Sequence, residues 1–344
     1  MEALAQKILV VGGNGFIGSA VCKAALARGM QVTSISSSGR PYRTPQGHTP
    51  AWTSKVEWRK ADALLPETYA DLLPGADAVV HTIGALLEDG SYKAALAKGD
   101  FPRLVRAFAN GSGEQGNPLA CGGAAPKGSY EMLNRDSALR VCEAFVASKP
   151  VNYSRNDNPE TCKDRPFVYL SAEDISRPII PSRYIETKHE AEQRITRLLR
   201  DHPGYRGVFI RPSVVYHAHQ RPLVSPLAAL IDLSASLHTK VPKGVPTPSS
   251  VLRTLGSMFS TPASSSGVAP MTPPATPSSP SSSTFTSGVS SALNSMANAL
   301  TIPPIHADHV AEAICIALDP RRTDVKGVVG VKEMRVLIGW HEKA

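Results

Sequence analysis

Short apolar runs rich in β-branched residues alternate along this chain with stretches in which apolar residues recur every three or four positions. The first pattern predicts buried strands, and the second predicts helices that pack one face on a sheet. Strands are predicted at residues 7–11, 31–36, 56–59, 78–83, 167–171 and 208–211, and helices near 16–25, 130–147 and 183–200. Because strands that alternate with helices pair in parallel, the sequence predicts an α/β fold, a Rossmann-type doubly wound parallel sheet.

Two stretches interrupt this alternation. Residues 89–130 include a Gly-rich, Pro-containing segment and predict a surface excursion. Residues 254–307 contain no Asp, Glu, Lys or Arg, and Ser, Pro, Thr and Gly make up 23 of the 30 residues from 261 to 290. Such a tract buries too little apolar surface to offset the entropy lost on ordering, so we expect a disordered Ser/Pro-rich insert over 254–300.

Folded sequence resumes after the insert, with a short amphipathic helix predicted at 306–318 and a last strand candidate at 328–337. We therefore expect a Rossmann core over residues 1–215. A small C-terminal lobe would follow over residues 216–344, interrupted by the insert.

Composition and charge exclude several classes of protein. Hydrophobic residues make up 42% and charged residues 19%, and no apolar run approaches the ~18 residues of a membrane-spanning helix. Five cysteines without a CxxC indicate neither a disulfide framework nor a zinc ribbon, which favours a reducing compartment. The net charge is +8, but residues 1–60 hold eight Lys or Arg against two Glu, around a phosphate-binding motif and not on a basic helix. We therefore expect no nucleic-acid partner.

A glycine triad carries the strongest chemical signal. Gly12, Gly15 and Gly18 follow the first predicted strand and open the first helix, with Phe16 and Ile17 between the second and third glycine. Glycine lets backbone N–H groups approach a pyrophosphate closely, and the helix N-terminus favours the anion. The pattern predicts a dinucleotide site; the alternative is a plain glycine turn between strand and helix.

The end of the second predicted strand indicates which dinucleotide is preferred. Sites for NAD place an Asp or Glu about 20 residues beyond the triad, whereas residues 36–40 of this chain read Ser-Ser-Ser-Gly-Arg. Ser38 and Arg40, assisted by Arg43, are suited to a 2′-phosphate, so NADP(H) is expected over NAD(H), unless Arg40 is a solvated loop residue. Asp62 follows the third strand and is expected near the adenine amino group, or else in a local turn.

Tyr184 and Lys188 form a YxxxK pair that shares one helix face. An ammonium there lowers the pKa of the phenol and contacts the nicotinamide ribose, which suits general acid-base catalysis. Ser171 ends the preceding strand and Arg211 ends the next one, so these side chains should meet at one edge of the sheet. The alternative is an ordinary Tyr and Lys on an exposed helical face.

These motifs together resemble the extended or atypical short-chain dehydrogenases/reductases of the NAD-dependent epimerase/dehydratase family. The resemblance is carried first by the residues already named: the glycine triad, Asp62, Ser171, the Tyr184/Lys188 pair and Arg211. It is also carried by Asn134, by the strand end at residues 79–84, and by residues 212–216 and 307–313. It implies catalytic roles for Ser171, Tyr184, Lys188 and Asn134. It also implies that the nucleotide contacts Gly12, Gly15, Phe16, Ile17, Gly18, Ser38, Arg40, Asp62, Thr82, Tyr184, Lys188 and Arg211.

Within that family the chain is similar to fungal mitochondrial proteins associated with the coenzyme Q biosynthesis complex and, more distantly, to the nucleotide-binding accessory subunit of respiratory complex I. The resemblance implies the matrix side of the mitochondrial inner membrane, peripheral membrane association and partner subunits of the coenzyme Q complex. Because the first strand starts by Lys7, no cleavable presequence is expected, and the location follows from the resemblance alone. Two functions stay open, a redox enzyme acting on a quinone or quinone precursor and a catalytically quiet nucleotide-binding subunit.

Residues 213–217 depart from the glycine-containing versions usual in sugar epimerases, which argues against a nucleotide-sugar pocket. Histidines at 217 and 219, and at 306 and 309, lack a carboxylate or Cys partner at a zinc-like spacing, so no metal site is expected. Asp308 is expected to begin a helix.

Overall fold

The computed structural model describes residues 5–84, 129–148, 164–175, 177, 180–217, 224–242, 245–258 and 282–340. The predicted surface excursion therefore lies outside the described residues, apart from its last two positions. The strands are β1 (Lys7–Val11), β2 (Gln31–Ser36), β3 (Val56–Lys60), β4 (Ala78–His81), β5 (Arg165–Leu170), β6 (Tyr205–Ile210), β7 (Val215–Tyr216), β8 (Ile305–His306) and β9 (Gly327–Val329). The α-helices are α1 (Phe16–Ala27), α2 (Ser137–Ala147), α3 (Ser182–Arg200), α4 (Val224–Lys240), α5 (Pro248–Met258), α6 (Ser282–Thr301), α7 (Ala307–Ala317) and α8 (Val331–Leu337).

Three short 3-10 helices, at Ala51–Lys55, Pro66–Thr68 and Ala70–Leu72, flank β3, and a π-helical turn at Glu131–Asp136 leads into α2. The seven strands of the main sheet lie in the order β3-β2-β1-β4-β5-β6-β9, and every pairing is parallel. The chain runs outward from β1 to β3 and then returns to the other side of β1 at β4. This reversal opens a crevice at the carboxyl ends of β1 and β4, the place where open α/β sheets bind their ligands. The predicted Rossmann-type fold is confirmed.

The strands are apolar on both faces because helices cover both sides of the sheet. In β1, Ile8 and Val10 face one hydrophobic cluster, while Leu9 and Val11 face the other. Helices α1 and α7 cover the first face, and α2 and α3 cover the second. The alternation of side chains along an extended strand divides a continuous apolar run between two cores.

The N-terminal and C-terminal parts of the chain pack directly on each other. Helix α7 lies against α1, where Arg28 forms an ion pair with Glu312 at 3.1 Å. The Gln6 side chain donates a hydrogen bond to the Leu318 carbonyl at 2.7 Å. Residues 307–318 are therefore part of the Rossmann core.

Three expectations about the C-terminal part change. Strand β9 joins the main sheet beside β6, so the expected division into 1–215 and 216–344 does not follow the packing. Residues 331–337 form a helix and not a strand, because Val331 and Met334 are buried at a helical spacing after β9. Parts of the predicted insert over 254–300 are helical: residues 254–258 end α5 and residues 282–300 belong to α6. The part of this prediction that concerns residues 259–281 lies outside the described residues.

The C-terminal lobe consists of α4, α5 and α6 together with a second, two-stranded sheet. In that sheet β7 pairs in parallel with β8, with Tyr216 opposite His306. Helix α6 packs against both α4 and α5. This lobe follows β6 and so stands beside the carboxyl edge of the main sheet.

Candidate functional site

The three glycines of the triad have different physical roles. Gly12 has a φ of +87°, which a side chain rarely allows, and it makes the turn after β1. A Cβ at Gly18 would lie 2.2 Å from the Gly12 carbonyl oxygen, so this glycine lets α1 pack on the turn. Gly15 is exposed at the start of α1, and among the described residues a Cβ there would meet the Gly12 carbonyl oxygen alone, at 3.2 Å. The helix N-terminus beside Gly15 is therefore open, and the pyrophosphate contact there stays a prediction.

The loop after β2 is tied to the glycine turn. Asn14 Nδ2 donates to Ser38 Oγ at 3.1 Å, and the backbone N–H of Gly39 donates to Ser36 Oγ at 3.1 Å. Gly39 has a φ of +63° and closes the turn against Lys60. The Arg40 side chain is exposed and has no hydrogen bond or ion pair within the described part of the chain. Its guanidinium is therefore available to an anion bound beside this loop.

Two further predicted contacts lie at strand ends on this side. Asp62 Oδ1 accepts a hydrogen bond from the Leu64 N–H at 3.0 Å, which is the local turn considered as the alternative to an adenine contact. Thr82 Oγ1 donates to the Val11 carbonyl at 2.8 Å and lies against Gly12 and Gly18. Thr82 thus holds the end of β4 to the glycine turn, while its own contact with a nucleotide stays a prediction.

Lys188 is the most unusual group of the site because its ammonium is almost fully buried, with 2% of the residue exposed. Nζ donates to the Leu170 carbonyl at 2.8 Å and to the Ile83 carbonyl at 3.2 Å, and it lies 4.7 Å from the centre of the Tyr169 ring. Burial lowers its pKa to about 7, although the Glu192 carboxylate acts in the opposite direction. The Lys188 side chain therefore lies between the carboxyl ends of β4 and β5 with a pKa near neutral pH.

Ser171 and Tyr184 lie on the two elements that position Lys188, the end of β5 and helix α3. Ser171 follows directly on Leu170, and its Oγ is buried without a hydrogen-bond partner among the described residues. Tyr184 lies one helical turn before Lys188 and packs edge-on against Tyr130, with ring centres 6.2 Å apart. A buried hydroxyl without a partner costs free energy, so it suits a site where a ligand oxygen supplies the missing hydrogen bond.

Asn134 lies in the π-helical turn before α2 and is fully buried. Its Nδ2 donates to Thr187 Oγ1 at 3.3 Å, and its backbone carbonyl accepts from the Tyr169 hydroxyl. π-Helical turns of this kind are frequent at functional sites. Asn134 thus fixes α2 against α3 next to Lys188, and its catalytic role stays a prediction.

Arg211 has a partner that the sequence did not reveal. Its guanidinium forms a two-pronged ion pair with Glu192 of α3, with Nε 2.9 Å from Oε1 and Nη2 2.5 Å from Oε2. Glu192 is 4% exposed and lies one turn after Lys188 on the same face. The pair holds α3 to the end of β6, so a nucleotide contact of Arg211 remains a prediction without support from this geometry.

Glu173, two residues after Ser171, is a second group that sequence analysis missed. Burial raises the pKa of its carboxyl, partly offset by the nearby Arg211 guanidinium. A carboxyl with a raised pKa can donate a proton closer to neutral pH than an exposed one. The only signal for it in the sequence is a position just beyond the strand that ends in Ser171.

Three residues of metal-binding types meet at the second sheet, against the expectation from their spacing. Donor atoms of His217, His306 and Asp308 all lie within 4.8 Å of one another. However, His306 Nδ1 accepts the Asp308 N–H at 3.2 Å and so caps α7. A neutral imidazole that accepts at Nδ1 carries its proton on Nε2, so this ring offers no lone pair to a metal in the observed arrangement.

Comparisons with known proteins agree with this geometry. A model of the NAD dependent epimerase/dehydratase family matches residues 8–99, which span β1 to β4 and the glycine turn. The chain is also 35% identical over 215 residues to MIOREX complex component 2 of Saccharomyces cerevisiae, which covers 62% of this chain and 74% of that protein. The chain belongs to the NAD dependent epimerase/dehydratase family. Membership of this family supports the binding of a pyridine nucleotide by the chain.

Other similarities are shorter or weaker. An uncharacterized chloroplastic protein of Arabidopsis thaliana is 42% identical over 83 residues, which is 24% of this chain and 26% of that protein. Among solved structures, a short-chain dehydrogenase/reductase family oxidoreductase of Burkholderia thailandensis superposes with a TM-score of 0.49 at 13% identity, covering 98% of this chain and 96% of the other. The fold assignment rests on the strand order and not on these superpositions.

The open space at Gly15 predicts a selective loss of nucleotide binding on substitution. In Gly15→Val the side chain would occupy the pyrophosphate position, so titration calorimetry should show at least a hundredfold weaker nucleotide binding with little change in thermal stability. Gly75→Val is the matched control, because Gly75 is exposed with no described atom closer than 3.9 Å to a Cβ. Unchanged affinity in a folded Gly15→Val protein would place the nucleotide elsewhere.

The lowered pKa of Lys188 predicts a specific pH dependence of stability. Between its folded pKa of about 7 and its unfolded value of 10.5, the unfolded chain binds a proton that the folded chain does not. The free energy of unfolding therefore rises with pH in this range, by about 1.4 kcal/mol per pH unit from this one group. Between about pH 7 and pH 9, the free energy of unfolding measured in urea should rise with pH more steeply for the wild type than for Lys188→Met, by this slope. Parallel curves would contradict the lowered pKa.

Proposed function

We propose that this protein is an NADP(H)-dependent oxidoreductase of the short-chain type that acts in mitochondrial coenzyme Q biosynthesis, on a quinone or quinone precursor. The observation that carries the proposal is the buried ammonium of Lys188, held by two peptide carbonyls at the strand ends. Beside it lies the Ser171 hydroxyl, for which the described residues offer no hydrogen-bond partner. A buried lysine with a pKa near 7 lowers the stability of a fold. Groups with such perturbed pKa values are concentrated at functional sites.

In this proposal one group of residues binds the nucleotide and another acts on the substrate. The glycine turn and the start of α1 hold the pyrophosphate, and Ser38 with Arg40 holds the 2′-phosphate. When bound, the nicotinamide supplies or accepts the hydride. Ser171 Oγ donates a hydrogen bond to the substrate oxygen, and the Tyr184 phenol exchanges a proton with that oxygen. The Lys188 ammonium lowers the pKa of the phenol and holds the ribose.

The cellular setting in this proposal is the matrix side of the mitochondrial inner membrane. It is supported by the 35% identity to a MIOREX complex component. It is also supported by a likeness to fungal proteins of coenzyme Q synthesis at residues 32–36, 75–81, 134–138, 182–185 and 206–212. Partner subunits of a coenzyme Q complex are part of the same proposal.

A second candidate function is a nucleotide-binding subunit without turnover. It is favoured by the contacts of Lys188 Nζ, which already donates to two carbonyls, and by the ion pair that occupies Arg211. In this role the nucleotide would stabilise the fold and the assembly of a complex, since a ligand that binds the folded state alone stabilises it by mass action.

The substitution Tyr184→Phe separates the two functions. If the chain is an enzyme, loss of the phenol should leave nucleotide affinity within about threefold and lower the rate of quinone reduction by about 10²- to 10⁴-fold. The measurement pairs calorimetry with restoration of coenzyme Q synthesis in cells that lack the protein. Tyr216→Phe, at the second sheet, is the matched control. Full restoration by Tyr184→Phe with intact affinity would reject catalysis through Tyr184 and favour the subunit.

The exposed guanidinium of Arg40 predicts the choice of nucleotide. Arg40→Ala should weaken NADP(H) binding about tenfold or more and leave NAD(H) binding almost unchanged, because one charge-assisted contact to the 2′-phosphate is lost. Arg321→Ala, in the loop before β9, controls for the change in net charge. Equal affinity of the wild type for the two nucleotides would overturn the NADP(H) preference.

A further inference from the structure

The last residue of β3, Lys60, lies directly beside the loop that follows β2. In the parallel pairing of β2 with β3, Lys60 is the register partner of Ser36. A Cβ at Gly39 would lie 2.8 Å from the Lys60 Cβ and 2.9 Å from its backbone nitrogen. The loop therefore packs tightly on Lys60, and this close approach, together with the φ of +63°, requires a glycine at position 39.

The side chain of Lys60 lies on the face of the sheet that α1 covers. Side chains alternate between the two faces of a strand, so Lys60 shares a face with Val56 and Trp58. Val56 belongs to the hydrophobic cluster beneath α1, and Trp58 packs against the same cluster. Lys60 follows them at the carboxyl end of β3 and is exposed. The side chain therefore projects from the same face and the same edge of the sheet as the start of α1.

The Ser38 hydroxyl belongs to the same loop, and both of its acceptor positions are used. Ser38 Oγ accepts hydrogen bonds from Asn14 Nδ2 at 3.1 Å and from the Arg40 backbone N–H at 3.3 Å. Its own hydrogen is left either for Ser36 Oγ, at a long 3.5 Å, or for an anion. These contacts fix the loop between the glycine turn and the end of β3, with Arg40 on one side of Gly39 and Ser38 on the other.

Lys60 differs from its neighbour Arg59 in the balance of its charge. Arg59 projects from the opposite face of β3, where it pairs with Glu57 at 3.5 Å and with Asp71 at 3.3 Å. Lys60 has no ion pair within the described part of the chain, and the same holds for Arg40. The positive charges on the Lys60 side are therefore available to a ligand, whereas the charge of Arg59 is already balanced.

One acid counts against this charge. Within two residues of Arg40, Arg43 and Lys60 in the sequence, the single acidic residue is Asp62. Its Oδ1 accepts the Leu64 N–H at 3.0 Å, inside its own turn. Three exposed cations therefore exceed the nearby carboxylate, and such an excess favours an anion that carries more than one negative charge.

We propose that Lys60 is a further determinant of nucleotide choice, whose ammonium binds the 2′-phosphate of NADP(H) together with Ser38 and Arg40. A phosphate monoester carries about two negative charges at neutral pH, so a second cation beside Arg40 strengthens its binding. NAD(H) has a ribose hydroxyl at this position and gains nothing from the charge. The inference rests on the proposed NADP(H) binding but not on turnover, so it holds for an enzyme and for a catalytically quiet subunit.

The test compares Lys60→Met with Lys60→Arg in calorimetric titrations with NADPH and NADH. Methionine keeps an unbranched side chain beside Gly39 and removes the charge, whereas arginine keeps the charge. We expect Lys60→Met to bind NADPH about tenfold more weakly, with NADH binding within about twofold of the wild type, and Lys60→Arg to keep most of the preference. Lys55→Met is the matched control, because Lys55 is exposed just before β3, about 16 Å from Lys60 along the strand.

Two smaller probes isolate the 2′-phosphate from the rest of the nucleotide. Lys60→Met should weaken the binding of adenosine 2′,5′-bisphosphate and leave that of adenosine 5′-monophosphate unchanged. Added salt should reduce the preference of the wild type for the bisphosphate more than that of Lys60→Met, because the variant has one charge fewer to screen.

The inference alone is overturned if Arg40→Ala reduces the preference for NADPH while Lys60→Met, folded by circular dichroism, keeps it. It is also overturned if Lys60→Met weakens both nucleotides alike, since the lysine would then act on a part that they share. Equal binding of NADPH and NADH by the wild type, or binding of neither, would overturn the proposed NADP(H) preference as well.

Discussion

The site depends on the close approach of α1 to the end of β1. Gly18 allows the first turn of the helix to touch the Gly12 carbonyl, and Thr82 ties the end of β4 to the same turn through the Val11 carbonyl. Without this contact the helix N-terminus would not face the crevice at which the strand order reverses. The Ser38 loop is tied to the same turn through the Asn14 side chain.

Much of the fold could be predicted from the sequence because its signals are local. The β-branched runs of β1, β2 and β4, the glycine triad and the Tyr184/Lys188 spacing each lie within a short stretch, so periodicity and spacing reveal them. Residues 331–337 were misread since a short apolar run has no clear period, and tertiary packing decided in favour of a helix. The helices at either border of the Ser/Pro tract were missed because they pack through Ser and Gly and not through the large side chains that patterns detect.

Long-range partners could not be predicted. Glu192 and Arg211 are 19 residues apart on different elements, and nothing in their neighbouring residues indicates an ion pair. The same limit applies to His217 and His306, which meet through pairing of β7 with β8, and to Lys188, whose burial depends on strand ends distant in sequence. The types of the site residues follow from motifs, whereas their charge states follow from burial, which a single sequence does not show.

The packing of α7 on α1 has a consequence for how the protein forms during synthesis. The surface of α1 that carries Val21, Cys22 and Ala25 is completed by Val310, Ala311 and Ile314, which emerge from the ribosome almost 300 residues later. The nucleotide crevice therefore stays attached to an uncovered apolar face until α7 has been synthesised. Domains generally fold as units, and contacts of such high sequence separation form slowly. A nascent chain of this protein is thus expected to need a chaperone, and a nonsense mutation within the lobe would leave the entire N-terminal half prone to aggregation.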